Sequence, residues 1–220
     1  MAGAPAVGGL STLDAVTVDA NGTLVRLLDP IARLDRALRV RGVERTRAEI
    51  AQAFAAEAAY YAPRSHRGRD ENSLTELRRD CARVFLEALG VKLDASEFAP
   101  DYVGALEFEL IPEAKEALER VAATGLRLAV VANWDMTLPE TLRRLGVDHL
   151  FVSVVTSAEA GAAKPDPAIF RLALERLGVP AARALHVGDD PVDENGARAA
   201  GMHFAPAPLA DALQALRYPG

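Results

Sequence analysis

From Pro112 onward the chain repeats one unit, a short apolar run followed by a helical stretch. Arg127–Ala132, Leu150–Val155, Ala184–Val187 and Met202–Ala205 read as strands. Pro112–Ala123, Pro139–Leu145, Pro167–Leu177, a segment near Gly196–Ala200 and Leu209–Leu216 read as helices between and after them. Parallel strands can be joined only through a crossover, so this alternation predicts a parallel sheet with helices on both faces. Residues 13–19, centred on Ala15-Val16-Thr17-Val18, add one more buried strand to that sheet.

The stretch between the first strand and the repeating units reads differently. Pro30 can open a helix that runs toward Gly42. Thr46-Arg47-Ala48-Glu49 and Ser73-Leu74-Thr75-Glu76 both have capping-box spacing, and the second helix has Gly90 as its terminator. A further helical piece falls between Ala95 and Leu106. The expected organisation is a flexible tail over 1–12, an α/β core from 13–29 and 108–220, and a helical insertion over 30–107.

Composition narrows the function classes. Half of the 220 residues are hydrophobic, enough for one sizeable core and a second small domain. The net charge of −6, with no basic stripe, argues against a nucleic-acid partner. No apolar run approaches the roughly 20 residues of a membrane span, so no membrane partner is expected. Met1–Gly9 lacks a basic start and reads as a tail rather than a signal peptide. The single cysteine, Cys81, fits a reducing cytoplasm. Oligomeric state has no signature here.

Four strand ends carry polar residues. The first is Asp19-Ala20-Asn21-Gly22-Thr23-Leu24, and the second is Ala132-Asn133. After the third strand comes Lys164-Pro165-Asp166-Pro167, and the fourth ends in Gly188-Asp189-Asp190 with Asp193 and Glu194 close behind. The carboxyl ends of parallel strands are where such sheets bind ligands. Asp, Asn and Gly are also ordinary turn formers, and acids at a helix start also suit its dipole. Carboxylates converging on one edge repel unless a cation sits among them, and hard oxygen donors suit Mg²⁺. Lys164 is one of three lysines among 25 basic residues, so its retention in a motif is informative.

In these four motifs, over Asp14 to Pro208, the sequence resembles the haloacid dehalogenase superfamily of hydrolases, in the branch with a helical cap after the first motif. The resemblance implies a doubly wound Rossmann-like core with an inserted α-helical cap, and a small phosphorylated molecule as substrate. It implies that Asp19 is the nucleophile and a Mg²⁺ ligand, that Asn21 ligates through its backbone carbonyl, and that Asp189 ligates directly. Lys164 would neutralise Asp19 and the phosphate, which Ala132 and Asn133 would hold. Asp190, Asp193 and Glu194 are candidates for supporting the metal, with Asp193 and Glu194 not distinguished because the spacing is one residue short.

Two positions depart from the family pattern. Asn21 stands where phosphatases carry an acid, and an amide cannot shuttle a proton. Ala132 stands where a hydroxyl is usual. Weakened phosphatase activity follows as the expectation, with two rivals: a metal-independent 2-haloacid dehalogenase, and a degenerate member that binds a ligand or partner without turnover. In the insertion, Tyr60-Tyr61-Ala62-Pro63-Arg64-Ser65-His66-Arg67-Gly68-Arg69 is either an anion reader or a solvated basic loop with its tyrosines packed inward.

Overall fold

The computed structural model describes residues 13–214. The expected tail over 1–12 and the last residues of the closing helix lie outside them. The central sheet has five parallel strands: β1 (Ala15–Val18), β4 (Arg127–Ala132), β5 (Ser153–Thr156), β6 (Ala184–Gly188) and β7 (His203–Pro206), in the order β5-β4-β1-β6-β7. β1 is central because both its edges are taken, Val16 pairing with Leu128 on one side and Leu185 on the other. The chain is α/β and doubly wound, as the alternation predicts.

Strand periodicity sorts the core into two layers. Val16, Val18, Leu128, Val130 and Leu185 face α5 (Ala114–Ala122), α6 (Leu138–Arg144) and α10 (Leu209–Gln214). Ala15, Ala129, Val131 and Ala184 face α8 (Pro167–Leu177) and α9 (Pro191–Ala199). A short α7 (Ser157–Ala160) follows β5 directly. Among the described residues no helix is long and apolar enough to cross a membrane.

A two-stranded antiparallel ribbon was not expected. β2 (Val25–Leu27) pairs with β3 (Phe108–Leu110), and α1 (Pro30–Val40), α2 (Arg47–Tyr61), α3 (Glu71–Ala88) and α4 (Ala95–Ala105) lie between the two. At three residues each, these strands are too short for a periodicity signal. The four helices close on their own core of Leu34, Leu38, Ile50, Phe85, Phe98 and Tyr102. Phe85 stacks on Phe98 with ring centroids 6.3 Å apart.

Helix starts show where local chemistry overrides a spacing rule. Thr46 forms the expected capping box with Glu49. The next helix begins one turn before the expected Ser73 box, because Asp70 accepts from the Ser73 N–H and Ser73 Oγ returns to the Asp70 N–H. α5 begins at Ala114 rather than Pro112, since Glu113 has a left-handed backbone at φ 65°. α9 begins at Pro191, well before the expected Gly196, because Asp190 caps it. The third core strand starts at Ser153, as Asp148–Leu150 makes a 3₁₀ turn instead.

Candidate active site

β1 ends by delivering Asp19 to the carboxyl edge of the sheet, where the side chain is 7% exposed. The neighbouring strand ends and loops bring three more charges to it. Lys164 Nζ donates to Asp19 Oδ1, to Asp193 Oδ1 at 2.5 Å and to the Val131 carbonyl at 3.2 Å. Three acceptors saturate an ammonium, so this lysine is fixed rather than solvated. The donor oxygens of Asp19, Asp189 and Asp193 lie within 4.8 Å of one another.

Three further residues hold this cluster, and sequence reading assigned a site role to none of them. His186 is fully buried between Asp193 Oδ1 at 3.2 Å and Thr17 Oγ1 at 2.8 Å. A neutral ring satisfies both partners when Nε2–H donates to Asp193 and Nδ1 accepts the Thr17 hydroxyl. Burial depresses the His186 pKa, which favours that neutral form. The signal for the pair was Thr17, a hydroxyl in an otherwise apolar strand. Thr23 Oγ1 donates to Asp189 Oδ1 at 3.2 Å.

The electrostatics follow from burial. Burial pushes the Asp19 carboxyl up, and Lys164 pulls it back only in part. Burial also acts upward on Asp193, but the His186 hydrogen bond and the Lys164 charge outweigh it and hold the group down. Lys164 stays above the ordinary lysine value, because its two carboxylates overcome the opposing effect of burial.

The remaining expected residues separate. Asp193, not Glu194, is the buried acid of the motif; Glu194 faces outward and pairs with Arg198 at 2.8 Å. Asp190 is the N-cap of α9, accepting from Val192 N at 2.9 Å. Asn133 was expected to hold phosphate, but its amide clasps the backbone of Lys164, accepting from the N–H at 2.6 Å and donating to the carbonyl at 3.1 Å. That clasp positions the lysine. Ala132 is buried at the end of β4 and offers no polar side-chain atom. Asn21 is exposed in the turn after Asp19, where Gly22 N donates to Val25 O at 2.8 Å. Gly22 sits at φ 91°, and a Cβ there would lie 2.2 Å from Asp189 Oδ2. Only glycine lets the turn approach that carboxylate.

These residues fit a divalent cation. Three carboxylates against one ammonium leave excess negative charge in a largely buried cluster, and all the donors are hard oxygens. Asp19, Asp189 and Asp193 are the side chains whose oxygens lie close enough together to share such an ion.

A cavity of about 1030 Å³ opens over the cluster and is walled by both layers of the molecule. Asp19, Asn133, Lys164 and Asp189 line one side, and Phe54, Glu57, Cys81 and Tyr102 line the other. The last residue of α2 and the segment after it fasten the two sides together. Tyr61 Oη donates to Asp135 Oδ2 at 3.0 Å and accepts from the Asp135 N–H at 3.0 Å. Ser65 Oγ meets Ser157 Oγ at 2.7 Å, and Met136 N donates to Gly68 O at 2.9 Å. Two of the basic side chains nearby are used within the helical insertion: Arg64 lies 4.2 Å over the Tyr60 ring and Arg67 pairs with Asp80. Trp134 is buried against Phe108, with centroids 4.6 Å apart.

Comparison with known proteins gives a family for this pattern. A family model described as haloacid dehalogenase-like hydrolase matches residues 13–201. The haloacid dehalogenase-like hydrolase domain-containing protein 3 of Xenopus laevis is 43% identical over 110 residues, covering 50% of this chain and 45% of that protein. The chain therefore spans about half the length of such relatives in these matches, although the same-named Bos taurus protein aligns over 92% of this chain and 86% of its own, at 33% identity. A phosphoglycolate phosphatase of Rhodospirillum rubrum is 33% identical, covering 86% of this chain and 76% of that one. Among solved structures, the L-2-haloacid dehalogenase of Xanthobacter autotrophicus superposes with a TM-score of 0.68 at 26% identity, over 89% of this chain and 77% of that one.

Proposed function

The chain belongs to the haloacid dehalogenase-like hydrolase family, and from that premise we propose that it is a Mg²⁺-dependent phosphatase of small phosphorylated metabolites, with Asp19 as nucleophile. The observation that carries this reading is Lys164, whose ammonium is bound between buried Asp19 and Asp193 beside Asp189. A halide displacement needs one carboxylate. A phosphate dianion needs positive charge, and Asp189, the acid of the cluster that makes no bond to Lys164, suits a cation. The similarity to a phosphoglycolate phosphatase supports the same choice.

The proposed chemistry has two steps. Asp19 attacks phosphorus, the P–O ester bond breaks, and the alkoxide leaves; water then hydrolyses the aspartyl-phosphate to return the carboxylate. Lys164 favours the ionised form of Asp19 against the effect of burial and neutralises phosphate oxygens as the ester binds. Asp193 and His186 act through Lys164, as positioning residues. Mg²⁺ would supply further positive charge to the phosphate. Asn21 cannot protonate the leaving alkoxide, a help typically worth about 10²–10⁴-fold, so esters with acidic alcohols are favoured.

The test is Mg²⁺-stimulated hydrolysis of p-nitrophenyl phosphate. Asp19→Asn abolishes it, and retained activity overturns the reading. Asn21→Asp raises hydrolysis of alkyl phosphates more than that of the nitrophenyl ester. Asn21 also suits a dehalogenase; metal-independent halide release from 2-chloropropionate, with no phosphatase activity, is the outcome that reading requires.

A further inference from the structure

The cavity that reaches Asp19 holds a second buried acid on its helical side. Glu57 lies on the buried stripe of α2 with Ile50 and Ala53 and is 5% exposed. The groups that act on its carboxyl are the Tyr102 hydroxyl and the Cys81 thiol, both neutral. Tyr102 is 1% exposed, and its Oη has no hydrogen-bond partner among the described residues. Arg78, one turn before Cys81, lines the same cavity but stays half-buried, and among the described residues it makes no ion pair with Glu57. Burial raises the Glu57 pKa; the Tyr102 hydroxyl and the Cys81 thiol oppose that rise only in part, and no cation does.

A carboxylate in an apolar wall is costly unless a positive charge meets it. A hydroxyl brought by a ligand would satisfy one lone pair and leave the charge in place; an ammonium answers both needs. We infer that Glu57, with the Tyr102 hydroxyl beside it, is the specificity-determining group that receives an ammonium on the alcohol half of the ligand, so that the preferred substrates are phosphate monoesters of amino-bearing alcohols. The inference rests on the phosphatase reading for the ester end.

Phosphoethanolamine and n-propyl phosphate differ by one terminal group, ammonium against methyl, and test this by calorimetric binding in Mg²⁺. The wild-type protein binds phosphoethanolamine about 10-fold or more tightly, the effect of one charge-assisted hydrogen bond. Glu57→Gln, which keeps shape and removes the charge, brings the two affinities together. Equal wild-type affinities, binding of neither ester, or a preference that survives Glu57→Gln overturns the inference. Binding of 2-hydroxyethyl phosphate as tight as that of phosphoethanolamine overturns it too, in favour of a neutral donor. Selective binding without turnover of any ester leaves this inference standing and counts against the phosphatase reading.

Discussion

Two groups of buried acids face one cavity, and they are treated in opposite ways. At the sheet edge, Asp193 has Lys164, His186 and the Asp190 N–H around it, and Asp19 has Lys164. In the helical layer, Glu57 makes no ion pair among the described residues, and the groups that act on it are a thiol and a phenol. The chain finishes the reacting end by itself, which fixes geometry before any ligand arrives. It leaves the other end electrostatically open, a condition a ligand can relieve.

The contrast can be broken first at Lys164. Lys164→Met leaves two buried carboxylates facing each other, and the expected loss is about 3–5 kcal/mol of stability, measured by denaturant unfolding; added Mg²⁺ returns part of it by restoring positive charge. Next, Gly22→Ala forces a left-handed backbone on alanine, about 1–2 kcal/mol, and drives a methyl into Asp189. Phosphatase activity falls with that displaced carboxylate, and an unchanged rate would show that Asp189 is not needed. A smaller effect is expected in the seam between the layers. Ser65→Ala removes the bond to Ser157 and costs about 1 kcal/mol, since Ser157 Oγ keeps the Trp134 carbonyl at 3.0 Å.

The smallest effect has the opposite sign and sharpens the comparison. Folding raises the Glu57 pKa above the ordinary 4.5. Its neutral form is thus favoured by folding, and the associated stability is present below that ordinary value and lost as pH rises through the folded one. Glu57→Gln therefore raises the melting temperature at pH 8, and the gain shrinks toward pH 4. A gain independent of pH would refute the unpaired-charge account.

The sheet was legible because strand and helix periods alternate over a hundred residues, and Asp19, Lys164 and Asp189 were legible because each follows a predicted strand. Asp193 could not be told from Glu194 by spacing; burial separates them, and burial depends on how α9 leans on β6. The Asn133 clasp is invisible in sequence, since its partner is the backbone of a residue 31 positions away. Glu57 did leave a trace. It stands seven residues after Ile50 and four after Ala53, an acid on the apolar stripe of its helix. The β2–β3 ribbon left none, because three-residue strands carry no period.

The central place of β1 has a consequence for how the molecule is made. Its two partners, β4 and β6, lie more than a hundred residues downstream. A ribosome adding about 5–20 residues per second exposes Ala15–Val18 for several seconds before either partner exists, while α1–α4 can already pack on one another through local contacts. The helical layer is thus expected to be in place first. Asp19 and Lys164, 145 positions apart, meet only as the parallel strands close, which makes this buried ion pair a late product of folding rather than its nucleus.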